Sequence, residues 1–246
     1  MNAGWPYPRR IAHRCGGMLA PENTVAGLRV AVEHGYRGVE FDVMLSGDGT
    51  PVLIHDETLE RTSNGHGKVA ETSDAELARL DAGSWHGARF AGEPIPAFAA
   101  AAQTCLALDL WANVEIKPAA GFEVATGTRV ATMAQDIWKG AALPPLLSSF
   151  SLAALEAAAR HAPALPRGML CDKVPADWRE TLRRLGCISL HCSGHHVDAA
   201  LLAAVRAAGV ALVVYTVNDP QDVAALVRAG VDAVITDRPD LNPAET

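Results

Sequence analysis

Two acidic side chains alternate with apolar ones in the stretch Gly38–Val43 (GVEFDV). In a β-strand successive side chains point to opposite faces, so Glu40 and Asp42 would share one face and the apolar residues the other. A half-solvated edge strand would show the same pattern, and the six residues alone do not separate the two interpretations. Buried carboxylates must be paired or bind a metal. The residues around the strand therefore have to distinguish a half-solvated edge strand from a buried site.

Three further groups of charged residues stand at the ends of short apolar runs: His13-Arg14, His55-Asp56 and Glu115–Lys117. A single histidine in such a place is more often an ordinary buried side chain. Three carboxylates, two histidines and two cations, all at the ends of apolar runs, instead indicate a functional site.

The donor atoms in these groups suit a hard divalent cation. Glu40, Asp42 and Glu115 would form an oxygen-rich set, which Mg²⁺ or Ca²⁺ prefers, whereas Zn²⁺ prefers more nitrogen or sulfur. Arg14 and Lys117 beside such a metal favour an anion, and phosphate is the anion that best suits them.

Two histidines complete this chemistry. His13 and His55 could serve as general base and general acid for a displacement at phosphorus. A metal would neutralise the phosphate oxygens as charge shifts in the transition state. The residue types alone therefore predict metal-assisted cleavage of a phosphoester.

The fold must bring these residues together, and the second half of the chain indicates how. A pattern repeats there: an Ala- and Leu-rich helix, a glycine at its end and a short apolar strand. In one unit Asp198 can cap a helix, Gly209 suits the left-handed residue just past its end, and a strand follows of the kind buried in a parallel sheet. Similar units can be drawn through the whole chain. The eight predicted strands are Arg10–His13, Gly38–Leu45, Asn113–Ile116, Leu146–Ser149, Arg167–Leu170, Cys187–His191, Val210–Thr216 and Val231–Thr236.

Eight strands in alternation with helices predict an α/β fold, the (β/α)₈ TIM barrel, formed by a single domain over residues 1–246. An open doubly wound sheet is the competing interpretation. It normally brings a Gly-rich phosphate turn after its first strand, and His13–Gly17 is a poor match to one. In a closed parallel barrel the chemistry lies at the carboxyl ends of the strands, where all the charged groups above stand.

One segment breaks the alternation after the second strand. Ser46–Thr50 (SGDGT) is a turn signal, and the apolar run Pro51–His55 follows at once. We interpret the pair as a hairpin that rises past the barrel rim and brings His55 back level with the two strand carboxylates. Residues 57–95 then form an insertion too long for an ordinary connection, which is typical of a lid or a substrate wall. Its Trp85 could cover a ligand or pack the insertion against the barrel.

The composition limits the partners. A net charge of −7 and a pI near 5.7 argue against nucleic acid or an anionic membrane as the main partner. The sequence contains no apolar run of membrane-spanning length, and Met1–Arg10 shows no leader pattern. The five cysteines are scattered and odd in number, which suits reduced thiols. We therefore expect a cytoplasmic protein that acts on a small molecule, with an oligomeric state that the sequence leaves open.

In combination the motifs resemble those of the glycerophosphodiester phosphodiesterase family. The likeness runs essentially end to end, and the combination is specific although no single motif is. The matching segments are His13-Arg14, Pro21–Thr24, Glu40-x-Asp42-Val43, Asp48-Gly49, Pro51-Val52-x-x-His55-Asp56, Arg61-Thr62, Glu115–Lys117, Tyr215–Asn218 and Thr236–Pro239.

The resemblance implies a barrel with a rim insertion and one divalent cation. It also implies hydrolysis of deacylated phospholipid head-group diesters to sn-glycerol 3-phosphate and an alcohol. Glu22 could lie near the substrate glycerol or the metal, or could cap a helix. Carried over by position, Glu40, Asp42 and Glu115 resemble the metal ligands, His13 and His55 the acid/base pair, and Arg14 and Lys117 the phosphate contacts.

The chain departs from the family pattern at a few positions. Cys15 stands where Gly usually follows His-Arg, and a side chain there could tighten the loop. It would also place a thiol near the site, so we expect sensitivity to oxidants. Tyr215 replaces a common Trp, and His86 stands where an aromatic residue is frequent, which puts the contact made by the lid in question.

Two other interpretations remain at this point. A lipid-directed phospholipase on the same barrel should show a signal peptide or an exposed apolar rim, and the sequence indicates neither. A catalytically inactive binding barrel should lack one of the site residues, and all of them are present.

A second cluster, Cys187–His196, invites comparison with zinc sites, but its spacing is not that of a finger or ribbon. We expect His191 to end a strand and face the mouth of the active site. His195 and His196 should lie on the loop that follows.

Overall fold

Eight parallel strands form the centre of the computed structural model, which describes residues 4–243. The expectation that Met1–Arg10 carries no leader falls partly outside this range and stays a prediction. The barrel strands are β1 (Arg10–Ala12), β2 (Gly38–Leu45), β4 (Trp111–Ile116), β5 (Leu146–Ser149), β6 (Arg167–Cys171), β7 (Ser189–Ser193), β8 (Ala211–Tyr215) and β9 (Ala233–Thr236), and β3 (Pro51–Leu53) is an added antiparallel strand.

The strands follow one another around the barrel in chain order, and β1 pairs with both β9 and β2, which closes the sheet. The predicted (β/α)₈ barrel is therefore confirmed, and the open doubly wound sheet is excluded. Eight helices accompany the strands within residues 4–243. They are α1 (Val25–Glu33), α2 (Asp74–Leu77), α3 (Phe98–Ala107), α4 (Glu123–Ile137), α5 (Leu152–His161), α6 (Trp178–Leu185), α7 (Ala199–Ala208) and α8 (Pro220–Ala229).

Two helix ends, each formed by a glycine, explain why two strands begin later than predicted. Gly186 and Gly230 end α6 and α8 in the left-handed conformation. The next amides turn back to the helix, since Cys187 donates to the Leu182 carbonyl and Val231 to that of Leu226. The first residues of each apolar run thus belong to the helix cap, and β7 and β9 begin two residues later than predicted.

The predicted hairpin is present. β3 pairs antiparallel with β2, in register Val43 with Leu53 and Leu45 with Pro51. Beyond it the Ile54 amide donates to the Asp42 carbonyl at 3.3 Å, which holds the returning chain beside the carboxylates. The insertion then runs to α3 and contains α2, with short 3-10 turns on either side of it.

Aromatic rings fill the amino-terminal end of the barrel. Tyr7 stacks on Trp111 with ring centroids 4.5 Å apart, and Trp5 packs edge-on against both rings. Ile11, Ile235 and further apolar side chains complete this plug. The interior therefore opens toward the carboxyl ends of the strands. No helix within residues 4–243 has the length and apolar character needed to cross a membrane.

Candidate active site

The three predicted carboxylates meet at the carboxyl end of the barrel. Glu40, Asp42 and Glu115 are all buried, and one oxygen of each lies within 4.8 Å of the others. The register explains the closeness, because Asp42 on β2 pairs with Glu115 on the neighbouring β4. Asn23 holds Asp42 twice, donating from Nδ2 to Oδ2 at 2.9 Å and accepting the Asp42 amide at 3.0 Å.

Two cations approach this cluster. Nζ of Lys117 lies 3.3 Å from Glu115 Oε1 and 3.6 Å from Asp42 Oδ1. Nε of Arg14 lies 3.8 Å from Asp42 Oδ2. Both predicted phosphate contacts therefore point into the same cavity as the carboxylates, with part of their positive charge compensated by them.

Charge and burial act differently on the three carboxyl groups. Burial, with the nearby charges of Asp42 and Glu115, raises the pKa of Glu40 well above its usual value. Burial and Asp42 raise the pKa of Glu115 to about 7. Burial also opposes ionisation of Asp42, but Lys117 and His55 lead the cationic groups that lower its pKa.

The carboxylate set fits a hard divalent cation. Glu40 Oε1 is buried and makes no hydrogen bond among the described residues, and an orphaned buried carboxylate oxygen calls for a cationic partner. Three oxygen donors at this spacing match what Mg²⁺ and Ca²⁺ bind. Glu40, Asp42 and Glu115 could therefore hold such an ion.

The chain after β1 adopts an unusual backbone conformation that serves Glu40. Arg14 and Cys15 have positive φ values of 48° and 76°, which costs a non-glycine residue roughly 1–2 kcal/mol. In this conformation the Arg14 amide donates to Glu40 Oε2 at 2.9 Å and the Cys15 amide to the Glu40 carbonyl at 2.7 Å. The strained turn thus fixes both the strand and its carboxylate.

His13 belongs to a carboxylate–histidine pair. Its Nδ1 lies 2.6 Å from Asp237 Oδ1, and its Nε2 lies 3.8 Å from Glu40 Oε2. Asn218 fixes Asp237 by donating to Oδ2 at 3.1 Å and accepting the Asp237 amide at 2.8 Å. Asp237 had no role in the sequence analysis, although a carboxylate directly after the last barrel strand was a usable signal.

His55 forms the second such pair. Its Nδ1 lies 2.6 Å from Asp56 Oδ1, and Arg61 from the insertion binds Asp56 through Nε at 2.6 Å. Hydrogen bonds from Arg61, against the opposing effect of burial, hold the pKa of Asp56 far below its usual value. Burial lowers the pKa of His55 below 6.5, although Asp42 and Asp56 oppose that shift.

Glu22 links Arg14 to the His55–Asp56 pair through Arg61. It accepts two hydrogen bonds from Arg14 at 3.0 Å each and two from Arg61 at 2.7 and 2.8 Å. An ionic chain therefore runs from Arg14 through Glu22, Arg61 and Asp56 to His55. Glu22 does not cap α1, since Thr24 does, and it does not belong to the carboxylate cluster. It lines the groove next to the cavity, and its place near a substrate glycerol stays a prediction.

All seven predicted site residues line one cavity of about 230 Å³. An adjoining groove of about 350 Å³ shares His13 and Arg14 with it and continues past Met18 and Trp85. A larger groove of about 620 Å³ between α7 and α8 shares only Thr216 with the cavity and contains none of the seven. The remaining residues of the cavity wall are Asn113, Phe150, Leu170, Tyr215, Thr216 and Ile235.

Of the two expectations about the histidines of the second cluster, one is wrong and the other is confirmed. His191 does not face the active-site mouth: it is buried in the barrel, with Nε2 2.9 Å from Ser189 Oγ. It fits there because the neighbouring strand offers Gly168, where a Cβ would lie 2.5 Å from His191 Nε2. His195 and His196 follow β7 on a 3-10 turn, as expected. Among residues 4–243 the carboxylate set is the only group of three or more metal-ligating side chains that lie close enough together to hold one ion.

The structure also shows where the residues lie at which the chain departs from the family pattern. Cys15 is fully buried in the core rather than facing the cavity, and burial raises its pKa well above the usual value. His86 contacts the loop after β1, with Nε2 3.0 Å from the Met18 carbonyl. Trp85 lines the groove and is half-exposed. Tyr215 lines the cavity and donates to the Cys171 carbonyl at 2.9 Å.

Comparisons with known proteins agree with this geometry. A curated glycerophosphodiester phosphodiesterase from Caldanaerobacter subterraneus subsp. tengcongensis is 35% identical over 232 residues, which cover 94% of each chain. A phosphodiesterase from Oleispira antarctica, solved in complex with the product sn-glycerol-3-phosphate, superposes with a TM-score of 0.90 at 38% identity. That match covers 95% of this chain and 94% of the other.

A glycerophosphodiester phosphodiesterase from Agrobacterium tumefaciens superposes with a TM-score of 0.79 at 27% identity, over 95% of this chain and 98% of the other. Residues 13–241 match the model of the Glycerophosphoryl diester phosphodiesterase family. The match includes every residue of the cavity described above. The chain therefore belongs to the glycerophosphoryl diester phosphodiesterase family and is a phosphoric diester hydrolase.

Proposed function

We propose that this enzyme hydrolyses soluble glycerophosphodiesters to sn-glycerol 3-phosphate and an alcohol, with His13 and His55 as the acid/base pair. Glu40, Asp42 and Glu115 hold one divalent cation, Mg²⁺ or Ca²⁺. Arg14 and Lys117 bind the phosphate. The observation that carries the proposal is that these seven side chains line one cavity of about 230 Å³.

The two carboxylate–histidine pairs support the acid/base roles. Each histidine has its Nδ1 2.6 Å from an aspartate oxygen, and such a contact favours the tautomer with the proton on Nδ1. Each Nε2 is then free to exchange a proton in the cavity. One histidine takes the proton of the attacking water and the other protonates the oxygen of the leaving alcohol.

The cations support the phosphate assignment. Arg14 and Lys117 enter the cavity from neighbouring sides and already lie within 4 Å of carboxylate oxygens. When a cation is bound to the three carboxylates, it supplies charge neutralisation at the phosphoryl oxygens. Arg14 and Lys117 then orient the phosphate for in-line attack, because the carboxylates of Asp42 and Glu115 that they face would be engaged by that ion.

The test is release of sn-glycerol 3-phosphate from glycerophosphocholine and glycerophosphoethanolamine, with EDTA, Mg²⁺ or Ca²⁺ in parallel. We expect EDTA to abolish the activity, one of the two cations to restore it, and His13→Ala or His55→Ala to lower kcat by about 10²–10⁴-fold. His161→Ala is the matched control, since His161 is exposed at the end of α5.

Each alternative result removes a distinct part of the proposal. Activity that survives EDTA would refute the cation site. Activity that survives both histidine substitutions would refute the acid/base pair. No release from either substrate with any cation would refute the substrate class.

A further inference from the structure

Asn113 lines the catalytic cavity with a side-chain amide that has no partner. The residue is only 1% exposed. Neither its Oδ1 nor its Nδ2 makes a hydrogen bond within residues 4–243. Folded proteins rarely leave a buried amide in this state, because the group gives up its bonds to water without replacing them. The Asn113 side chain therefore calls for a ligand inside the cavity.

The alternation of side chains along β4 places Asn113 halfway down the barrel interior. Trp111, two residues earlier, belongs to the aromatic plug, and Glu115, two residues later, belongs to the carboxylate cluster. Side chains two residues apart share one face of a strand. Lys117 lies just past the carboxyl end of β4. Glu115 thus stands between Asn113 and Lys117, and Asn113 lies on the plug side of the carboxylates.

Glu40 is the neighbour of Asn113 across the sheet. Their Cα atoms are register partners, and Asp42 and Glu115 form the next pair on the same face. Glu40 Oε2 accepts a hydrogen bond from the Arg14 amide, whereas Oε1 has no partner among the described residues. The row formed by Glu40 and Asn113 therefore presents unpartnered polar atoms next to the row formed by the other two carboxylates.

The two side chains of this row differ in reach. The Glu40 carboxylate extends to the cluster, where one of its oxygens lies within 4.8 Å of oxygens of Asp42 and Glu115. Asn113 starts from the partnered backbone position, but its side chain is one methylene shorter. A water molecule can bridge this difference, because it donates a hydrogen bond to an amide oxygen and keeps a lone pair for a cation.

The coordination of a hard divalent cation leaves room for such a water molecule. Mg²⁺ usually keeps several waters when carboxylates bind it, and Ca²⁺ takes about six to eight oxygen ligands. Three carboxylates with one oxygen each do not fill this shell. The phosphate would approach from the side of Arg14 and Lys117. The ligand positions toward the plug therefore fall to water, and Asn113 is the polar side chain of β4 that lines the cavity there.

We propose that Asn113 is a positioning residue of the cation site, whose Oδ1 accepts a hydrogen bond from a water molecule in the coordination shell of the ion. This inference rests on the proposed function, because it requires a cation at Glu40, Asp42 and Glu115. Asn113 acts through the water and contacts neither the substrate nor the reacting atoms. Partners of this kind fix the ligands of a metal ion, and their removal typically weakens metal binding by about 10–100-fold.

The test is calorimetric titration of the metal-free protein with Ca²⁺ and with Mg²⁺, which needs no substrate. Asn113→Leu keeps the approximate size of the side chain and removes both polar atoms. We expect it to raise the Kd of the cation that binds the wild type by about 10–100-fold. Its metal-free Tm should equal or exceed that of the wild type, because an apolar group replaces a buried amide without partners. A purely structural role would instead lower the Tm and leave the Kd unchanged, which would overturn the inference.

Ser148→Ala is the matched control. Ser148 is the register partner of Glu115 on β5 and is fully buried. Its Oγ also lacks a partner within the part of the chain that the structure describes, but the residue does not line the cavity. We expect Ser148→Ala to bind the cation like the wild type. An equal loss of affinity in Ser148→Ala and Asn113→Leu would refute the specific assignment to Asn113.

A longer amide tests the contact through water. In Asn113→Gln the additional methylene gives the side chain the reach of Glu40, so its amide oxygen can take the place of the water. We expect Asn113→Gln to bind the cation as tightly as the wild type. Weaker binding would mean that the amide acts at its own length, as a direct ligand would, and would overturn the role of the water even if Asn113→Leu did not fold.

The outcomes separate this inference from the proposed function. A wild type that binds neither cation would refute the cation site itself and the inference with it. Cation binding that Asn113→Leu leaves unchanged would refute the inference alone. An unchanged Kd together with a higher KM for glycerophosphocholine would also overturn it, because Asn113 would then act on the substrate.

Discussion

Nδ1 of His13 lies 2.6 Å from Oδ1 of Asp237, although 224 residues separate them in the chain. The barrel makes this contact, because β1 and β9 are hydrogen-bonded neighbours where the sheet closes. Asn218, which follows β8, holds the far oxygen of Asp237 at 3.1 Å. Closure of the barrel therefore allows a carboxylate that follows the last strand to position a histidine that follows the first.

Asp237→Asn should lower kcat by about 10–100-fold and leave KM within a factor of about two, because the amide no longer fixes the tautomer and orientation of His13. Steady-state kinetics on glycerophosphocholine across a range of pH measure both constants and the ionisation of the histidine. Asp240→Asn is the control, since Asp240 pairs with Arg238 away from the cavity. A change in KM alone would show that Asp237 acts on substrate binding instead.

Arg61 joins the insertion to both sides of the site through Glu22 and Asp56. Arg61→Met should reduce kcat/KM by about tenfold, since Asp56 and Glu22 both lose the side chain that fixes them, while the free energy of unfolding changes by at most about 1 kcal/mol, as is usual for an exposed ion pair. Lys68→Met removes a comparable exposed pair with Glu71 and should change neither quantity. Kinetics combined with urea unfolding distinguish this outcome from simple destabilisation.

Glu40→Gln tests the carboxylate cluster without an activity assay. A saturating cation at about a hundredfold its Kd should stabilise the wild type by about 2.7 kcal/mol, or roughly 5–10 °C in Tm. The variant should lose this increase, and its metal-free Tm should equal or exceed that of the wild type because one buried charge is removed. Glu156→Gln on the surface should behave as the wild type. A full cation-dependent increase in Glu40→Gln would exclude Glu40 as a ligand.

The barrel and the cavity were predictable from sequence because strand ends carry their own signals. Glu40 and Asp42 share a strand face, and any parallel barrel places strand ends together, so the seven residues could be grouped without coordinates. The contacts of Arg61 could not be predicted, because Arg61 reaches its partners from an insertion whose path across the rim no local pattern encodes. Asp237 differs, because its position directly after the last strand was a usable signal, and closure of the predicted barrel brings it to His13.

Four of the five thiols are buried and the fifth, that of Cys171, is only partly exposed, which predicts low reactivity. The sequence placed Cys15 beside the site, but its left-handed backbone turns the side chain into the core near Gly27. Burial raises the pKa of Cys171 to about 11 and that of Cys105 to about 12, and the thiolate is the reactive form. Native protein at neutral pH should therefore react slowly with iodoacetamide and only at Cys171, which is partly exposed, whereas all five cysteines react after unfolding. Rapid native labelling of Cys15, located by mass spectrometry, would contradict this arrangement.

His191 makes the fold sensitive to acid. Burial lowers its pKa to about 3, and Nδ1 has no hydrogen-bond partner among the described residues. In the unfolded chain its pKa is near 6.5, so the unfolded state binds a proton first. The stability that depends on neutral His191 is complete above pH 6.5 and is lost as the pH falls toward 3.

Between pH 7.5 and 5 this residue alone should reduce the free energy of unfolding by about 2 kcal/mol. His191→Met places an apolar side chain of similar size beside Ser189, and this side chain cannot bind a proton. The free energy of unfolding of the variant at pH 7.5 can differ from that of the wild type. On acidification to pH 5 we expect this free energy to fall less in the variant than in the wild type, by the same amount. Urea unfolding at both pH values gives the two differences. Parallel losses in the two proteins would show that His191 is already protonated in the native barrel or that its ring reaches water.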